Sequence, residues 1–235
     1  MGIRRGEITT KIVSDGLVFN MDAANRACYP QTGTTVTDTT HNNIGTLSST
    51  TFESTNNGVF NFDGVDDHIT YPTDLDNINR PGVTNQITLE AWTYTITFNN
   101  DYEKFISRRT SATPLPYLLG FNLVSLNKYE FYLSGTSGYG SQLLSSTDVT
   151  LNEWVHVVGT SDNTTRKIYL NGQLDNSGAY SSGIYSTNIG LEIGAQMNNQ
   201  YNYNGKLGSV RIYDRALSAT EVLHNYNALR GRFGV

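Results

Sequence analysis

The end of the chain constrains the fold most, because it places a strand directly before a capped helix. Residues 207–213 alternate in the period-two pattern of a strand with two different faces. Ser218 and Glu221, three positions apart, have the spacing of a capping box, so a helix is predicted to begin there. Gly231 is predicted to end it. The chain is therefore predicted to close with a strand that leads directly into one capped helix.

Strand patterns recur along the rest of the chain. The longest alternation, at 87–96, predicts a central strand, and Asn171–Gly172 predicts a tight hairpin because both central positions of a type I′ turn need a positive φ. A long loop with short extended pieces is expected at 32–57. The other predicted strands lie at 16–23, 59–62, 68–71, 103–108, 117–123, 129–133, 154–159, 166–170 and 191–194. About a dozen strands with one terminal helix favour an all-β fold of two packed antiparallel sheets.

Length and charge limit the organisation and the partners. The 235 residues suit one β-sandwich, which we expect to occupy 13–235 behind an N-terminal arm at 1–12. A net charge of −5 argues against nucleic acid as a ligand, since phosphate-backbone binding needs clustered Lys and Arg. Nucleic acid is therefore not expected among the partners.

The sequence carries few signals of export or membrane insertion. Cys28 is the only cysteine, so no intrachain disulfide can form. The N-terminal residues lack the apolar segment of a signal peptide, and no stretch approaches transmembrane length. We expect folding in a reducing cytosol and no membrane insertion.

The carboxylates and histidines of the sequence form no catalytic pattern. A glucanase of a jelly-roll fold would carry a Glu-x-Asp-x-x-Glu arrangement on one strand, and the chain has no such triplet. Glu90 and Glu192 each stand alone in their strands. The histidines are scattered without metal-ligand spacing, and His156 is expected to be a half-buried structural residue. The sequence therefore predicts a protein that is not an enzyme.

Five stretches occur in the order and spacing of one family. They are 15–24, 62–67, 87–92, 152–159 leading into 168–172, and the C-terminal strand and helix. Over nearly the whole chain this set resembles the laminin-G-like, or concanavalin A-like lectin-glucanase, jelly-roll domains. The resemblance implies a two-sheet antiparallel jelly-roll β-sandwich with a short C-terminal helix, in a family that binds ligands more often than it catalyses reactions.

A narrower resemblance concerns function. The segments 12–18, 22–25 with Tyr29–Pro30, and 227–233 are similar to stand-alone laminin-G-like structural proteins of tailed-phage virions. This resemblance implies a virion decoration or fibre protein, assembled in the host cytoplasm as a homo-oligomer among other virion proteins. A cell-surface glycan is a further expected partner. The alternative is a soluble carbohydrate-binding lectin that is not part of a virion, and a glucanase comes third.

No cofactor is required by the sequence, but calcium is a candidate. Hard oxygen ligands are plentiful, and Asp22, Asp38 and Asn43 lie where family members often place acidic and amide residues. The same residues also suit a strand end and Asx turns. The acidic segment 63–67 is interpreted as a plain turn.

Tyrosines in loops are the candidate sugar contacts. The chain has 15 of them, and an aromatic face beside Asn side chains suits a sugar's apolar face and hydroxyl rim. The predicted glycan-binding residues are Tyr180, Tyr185, Tyr201, Asn202 and Tyr203. Contacts with another protein are the alternative role for the same side chains.

Overall fold

A computed structural model of the chain describes residues 11–72, 83–108, 115–124, 127–138, 140–196 and 200–235. They form two antiparallel sheets that pack face to face, together with a fifteen-residue C-terminal helix. The predicted all-β jelly-roll sandwich is confirmed. Most of the predicted arm, at 1–10, lies outside these ranges. Among the described helices, none has the length and apolar character needed to cross a membrane.

The strands are short and are joined mainly by turns. They are β1 (Leu17–Asp22), β2 (Thr35–Thr37), β3 (Ile44–Ser48), β4 (Thr51–Glu53), β5 (Val59–Asp63), β6 (His68–Tyr71), β7 (Ile87–Thr95), β8 (Tyr102–Ser107), β9 (Tyr117–Asn122), β10 (Lys128–Ser134), β11 (Gly140–Asp148), β12 (Trp154–Ser161), β13 (Thr165–Leu170), β14 (Gln173–Ala179), β15 (Leu191–Ile193) and β16 (Asn204–Tyr213). A 3-10 turn spans Thr55–Asn57, and the C-terminal helix α1 spans Ala219–Phe233.

Each sheet contains eight strands. Sheet 1 has the order β14-β13-β12-β7-β16-β5-β4. Its eighth strand, β1, also pairs with β16. Sheet 2 has the order β11-β10-β9-β8-β15-β6-β3-β2. The main hydrophobic core fills the space between the sheets, and Phe62, Phe105, Phe121 and Tyr203 contribute their rings to it.

Strand β7 is central, as its alternation predicts. It pairs with β12 on one side and β16 on the other. Ile87, Leu89 and Ala91 point into the core between the sheets, whereas Glu90 and Trp92 face the opposite side. That opposite side is also fully buried, because helix α1 packs on it.

Helix α1 begins as predicted and ends later than predicted. Ser218 Oγ accepts the N–H of Glu221 at 3.3 Å, and Glu221 Oε2 accepts the N–H of Ser218 at 2.8 Å, which completes the capping box. The prediction that Gly231 ends the helix is wrong, since the helix continues to Phe233 and ends at Gly234 with φ of 75°. Stacking of Phe233 on Trp92 at 4.3 Å offsets the roughly 1 kcal/mol that a glycine costs inside a helix.

Strands β2, β3 and β4, of three to five residues each, are the short extended pieces expected within the loop at 32–57. Strand β11 is not among the predicted strands. It is rich in Ser and carries no clear apolar alternation. Its neighbours hold it: β10 pairs along it, and Arg166 donates to the carbonyl of Ser141 at 2.5 Å.

The two sheets differ in what covers their outer faces. Helix α1 covers the outer face of sheet 1 through Tyr226 and Phe233, which stack on Trp92. Within the described residues, no helix lies on the outer face of sheet 2. That face is therefore available to line a site.

Candidate functional site

A cavity of about 470 Å³ opens on the outer face of sheet 2. Its floor is formed by strands β8, β9 and β10, which contribute Lys104, Leu118, Glu130 and Tyr132. Tyr102 lies at the start of β8, and the segment between β15 and β16 adds Gln196 and Tyr201. Cavities of this size hold small ligands in other proteins.

The alternation of β10 sends these side chains outward. Phe131 and Leu133 belong to the core between the sheets, so Glu130 and Tyr132, at the intervening positions, face the opposite side. Tyr132 lies between Leu118 on β9 and Gln142 on β11, and Gly140 packs against its ring. The strand thus supplies one charged group and one aromatic ring to the cavity.

An ion pair lies on the cavity floor and spans three strands. Gly120 on β9 pairs with Lys104 on β8 and with Glu130 on β10. Lys104 Nζ reaches across it to Glu130 Oε2 at 2.6 Å, and it also donates to the carbonyl of Phe121 at 3.3 Å. A Cβ atom at Gly120 would lie 2.9 Å from Lys104 Cδ. The glycine therefore leaves the space through which the two charges meet.

Two tyrosines form an aromatic wall above this ion pair. The rings of Tyr102 and Tyr201 meet edge to face, with centroids 5.7 Å apart. Lys104 Nζ lies 5.2 Å from the Tyr102 ring centroid. Tyr201 has a φ of 53°, which is uncommon for a residue with a side chain, and its carbonyl accepts the N–H of Lys104. The strained residue is thus fixed to the edge of the floor.

Gln196 adds a buried polar group to the wall. Its backbone exchanges two hydrogen bonds of 2.8 Å with Gln200, which hold the segment beside the cavity. The residue is only 2% exposed, and its Oε1 accepts no hydrogen bond from the described residues. Buried polar atoms are normally paired, so this oxygen is an exception among the residues that line the cavity.

Of the five predicted glycan contacts, Tyr201 lines the cavity. Asn202 and Tyr203, which follow it in the sequence, do not line the cavity. Asn202 is buried and donates its amide to the carbonyl of Val65. Tyr203 is fully buried in the core, with its hydroxyl 3.2 Å from Thr95 Oγ1.

The other two predicted tyrosines lie elsewhere. Tyr180 is buried, donates its hydroxyl to the carbonyl of Gly183 at 2.8 Å and stacks against the guanidinium of Arg166. Burial raises the pKa of Tyr180 to about 12. Tyr185 is half-buried and is not among the residues that line the cavity. The structure therefore does not assemble the five residues into one site.

Sequence reasoning missed most of the cavity residues. Tyr102, Lys104, Glu130 and Tyr132 were all part of predicted strands or their edges, but none was chosen as a site residue. The alternation at 129–133 did indicate that Glu130 and Tyr132 share a face. Their convergence with Lys104 depends on strand register, which a single sequence does not show.

The carboxylates among the predicted calcium ligands accept hydrogen bonds from nitrogen donors of the protein. Asp38 Oδ1 accepts the N–H groups of Asn20 and Thr40, and its Oδ2 accepts the N–H of His41 and the side-chain amide of Asn43. Asp22 accepts from Arg232 at 2.7 Å. These carboxylates organise a loop and an ion pair, and calcium binding by Asp22, Asp38 and Asn43 stays a prediction.

We expect Asp38→Ala to destabilise the fold by about 2 kcal/mol, because it removes the charged acceptor of several partly buried N–H donors. Since those donors already saturate the carboxylate, added calcium should leave the melting temperature of the wild type unchanged. Thermal unfolding of both proteins in calcium and in EDTA measures this. A calcium-dependent rise in Tm that Asp38→Ala abolishes would instead assign the ion to the predicted ligands.

The turn between β5 and β6 brings three further carboxylates together. The ligand atoms of Asp63, Asp66 and Asp67 lie within 4.8 Å of one another. Asp67 Oδ2 accepts the N–H of Asp63 at 2.8 Å, Asp63 Oδ1 accepts the N–H of Val65, and Asp66 accepts from Ser49. These bonds build the turn that the sequence predicts.

Similar folds are found among solved structures. The binding domain of Paraclostridial Mosquitocidal Protein 1 superposes with a TM-score of 0.70 at 15% identity, over 91% of this chain and 52% of that one. Domain 4 of AbnA, an extracellular arabinanase of Geobacillus stearothermophilus in complex with arabinotriose, gives 0.66 at 15% identity, over 92% of this chain and 100% of that one. A sialidase of Trypanosoma rangeli gives 0.64 at 14% identity, over 92% of this chain and 33% of that one.

These likenesses concern the fold. The chain spans about half the length of the toxin binding domains it matches. Among proteins of curated function, none matches it by sequence. The sequence signature described as "Concanavalin A-like lectin/glucanases superfamily" matches residues 62–223, which is more than half of the chain. The protein therefore belongs to the concanavalin A-like lectin/glucanase superfamily.

Proposed function

We propose that this protein is a non-catalytic carbohydrate-binding domain whose ligand occupies the cavity on the outer face of sheet 2. The observation that carries the proposal is the grouping of Tyr102, Tyr132 and Tyr201 around a buried ion pair and the buried amide of Gln196. A sugar offers an apolar C–H face to aromatic rings and a rim of hydroxyls to polar groups. The cavity provides both kinds of surface within about 470 Å³.

The similar solved structures support this proposal. Several are described as binding domains of toxins, and the AbnA domain is described in complex with arabinotriose. Their common element with this chain is the fold. The proposal for the ligand therefore depends on the cavity of this chain rather than on those proteins.

A binding role also agrees with the carboxylates of the cavity. A retaining glycosidase needs two carboxyl groups about 5 Å apart, one as an acid and one as a nucleophile. Among the described residues that line the cavity, Glu130 is the one carboxylate, and Lys104 holds it in an ion pair. We therefore propose that a bound sugar leaves the cavity chemically unchanged.

We expect Tyr201→Ala to weaken sugar binding by about 30-fold, equivalent to about 2 kcal/mol, because it removes half of the aromatic wall. Tyr185→Ala is the matched control. It changes the same residue type with partial exposure outside the cavity lining, and it should bind like the wild type. A glycan array identifies the sugar that binds. Isothermal titration calorimetry then measures the affinity of the wild type, of Tyr201→Ala and of Tyr185→Ala for that sugar.

Two results would contradict the proposal. An array on which no glycan binds the folded wild type would remove the carbohydrate role. A Tyr185→Ala variant that loses binding while Tyr201→Ala keeps it would move the site to the loops that sequence reasoning favoured.

We separately propose that the domain acts as a virion component, either a decoration protein or a fibre protein. In this role it forms a homo-oligomer and contacts other virion proteins. The support is the resemblance of segments 12–18, 22–25 and 227–233 to structural proteins of tailed phages. Proteomics of gradient-purified phage particles from the source culture tests it. Co-purification at a symmetric copy number is the expected result, whereas recovery only in the soluble lysate would exclude the virion role and leave a soluble lectin.

A further inference from the structure

We propose that the ligand of this cavity is an uncharged, hydroxyl-rich sugar, and that acidic and amino sugars are excluded. The inference rests on the proposed carbohydrate-binding function and narrows its ligand class. It follows from the charge balance of the floor and from the polar atoms that the floor and wall present.

The charges on the described residues that line the cavity cancel one another. Lys104 and Glu130 are its charged groups among the described lining residues, and they lie 2.6 Å apart. Both are almost completely buried, with side chains 3% and 6% exposed. Water screens such a pair weakly, so a charged ligand would be attracted by one partner and repelled by the other. The two interaction energies nearly cancel, and the ligand gains little binding energy from the neutral pair.

Two acceptor oxygens on the lining residues have no hydrogen-bond donor among the described residues. One is Gln196 Oε1, which is itself buried beside the cavity. Glu130 uses Oε2 for Lys104, and the described residues give its second oxygen no hydrogen bond. A ligand that satisfies both atoms must bring hydrogen-bond donors, and the hydroxyls of a neutral sugar are such donors.

An acidic sugar fits this set poorly. Its carboxylate would lie close to the carboxylate of Glu130 and be repelled by it, a cost that donation from the tyrosine hydroxyls of the cavity does not remove. The ammonium of Lys104 is already engaged with Glu130 and with the carbonyl of Phe121. Taking that ammonium would leave Glu130 buried without its counter-ion, which is costly.

An amino sugar meets the converse difficulty. Its ammonium would compete with Lys104 for Glu130 and would lie close to a like charge in a poorly screened site. Hydroxyls avoid both costs because they donate without carrying charge. The geometry therefore selects against either sign of charge.

The test compares trisaccharides that differ in charge but share their linkage. Calorimetry measures the wild-type affinity for arabinotriose, cellotriose and β-1,4-galactotriose, for the C6-oxidised forms of the two hexose trimers, and for the chitosan trimer. We expect a neutral hexose trimer to bind at least about tenfold more tightly than its charged counterparts. Its dissociation constant should stay the same between low and high salt, because no net charge is neutralised on binding.

The outcomes separate the two proposals. An oxidised or amino trimer that binds as tightly as its neutral counterpart, or an affinity that falls steeply with salt, overturns the inference and leaves carbohydrate binding intact. If none of the trimers binds and the glycan array is also empty, the proposed function itself fails. Arabinotriose as the only ligand would support the inference, since it is uncharged.

A charge-changing variant gives an independent check. Glu130→Gln leaves Lys104 unbalanced, so the cavity changes from neutral to a single positive charge. The preference for neutral over oxidised trimers should then shrink by about tenfold or reverse. Circular dichroism confirms that the variant folds. Should it fail to fold, the wild-type affinity ratio and salt series still decide the question.

Discussion

Arg211→Met should destabilise the fold by about 3–5 kcal/mol, the cost of leaving a buried charge without its partner. Arg211 donates to Glu90 at 2.7 Å, and the two side chains are 2% and 1% exposed. Asn225 from helix α1 donates to the other oxygen of Glu90 at 2.7 Å. This carboxylate thus joins β7 and β16 to the helix. Urea unfolding of the wild type and of Arg211→Met at neutral pH measures the difference in free energy of unfolding.

A surface ion pair provides the matched control for this variant. Lys206 and Glu53 also lie 2.6 Å apart, but their side chains are 24% and 30% exposed. Lys206→Met should therefore cost less than about 1 kcal/mol. If Arg211→Met costs no more than Lys206→Met, the buried pair does not hold the helix to the sheet.

The same carboxylate predicts a loss of stability in acid. Burial alone would raise the pKa of Glu90, but Arg211, the nearby His156 and the hydrogen bond from Asn225 outweigh it and lower the pKa to about 2. A lowered pKa stabilises the fold above the ordinary value of 4.5 and loses that effect as the pH falls towards 2. Arg211→Met should show a weaker loss over that interval.

Glu103 should give the opposite dependence on pH, with an effect of about 3 kcal/mol. Burial raises its pKa to about 7, although the N–H groups of Asn204, Asn99 and Asn100 lower it in part. A carboxyl group whose pKa is raised by folding stabilises the native state fully below its ordinary pKa of 4.5. That contribution is lost as the pH rises to about 7.

Urea unfolding of the wild type and of Glu103→Gln from pH 4.5 to 7 isolates this effect. The free energy of unfolding of the wild type, relative to the variant, should fall by about 3 kcal/mol across the interval. Glu221→Gln is the control, because Arg215 first and the Ser218 hydrogen bonds further lower the Glu221 pKa to about 2. Its difference from the wild type should stay constant over the same range, and a flat Glu103→Gln difference would contradict the assignment.

Local patterns predicted the elements whose own residues specify them. The alternation at 87–96 identified the central strand β7, and Ser218 with Glu221 identified the start of α1. The hairpin at Asn171–Gly172 is present, with φ of 49° and 77° at the two positions. Each of these features depends on residues within a few positions of one another, so a single sequence contains the information.

Elements held by distant contacts were missed. Strand β11 lacks apolar alternation and is held by β10 and Arg166. The last turn of α1 passes Gly231 because Phe233 stacks on Trp92, far away in the sequence. His156 was expected to be half-buried, but it is fully buried 3.3 Å from Glu90 under the helix. In each case a tertiary contact outweighs the local preference.

The all-β sandwich with its capped C-terminal helix can be predicted from the amino-acid sequence, because hydrophobic period and capping chemistry act over short distances. The position of the cavity cannot, since it depends on contacts between strands that are distant in sequence. Lys104 and Glu130 come from strands separated in sequence, and they meet across Gly120 because the register of β8, β9 and β10 aligns them. Register depends on how whole sheets pack, so Tyr201 alone among the predicted contacts reached the cavity.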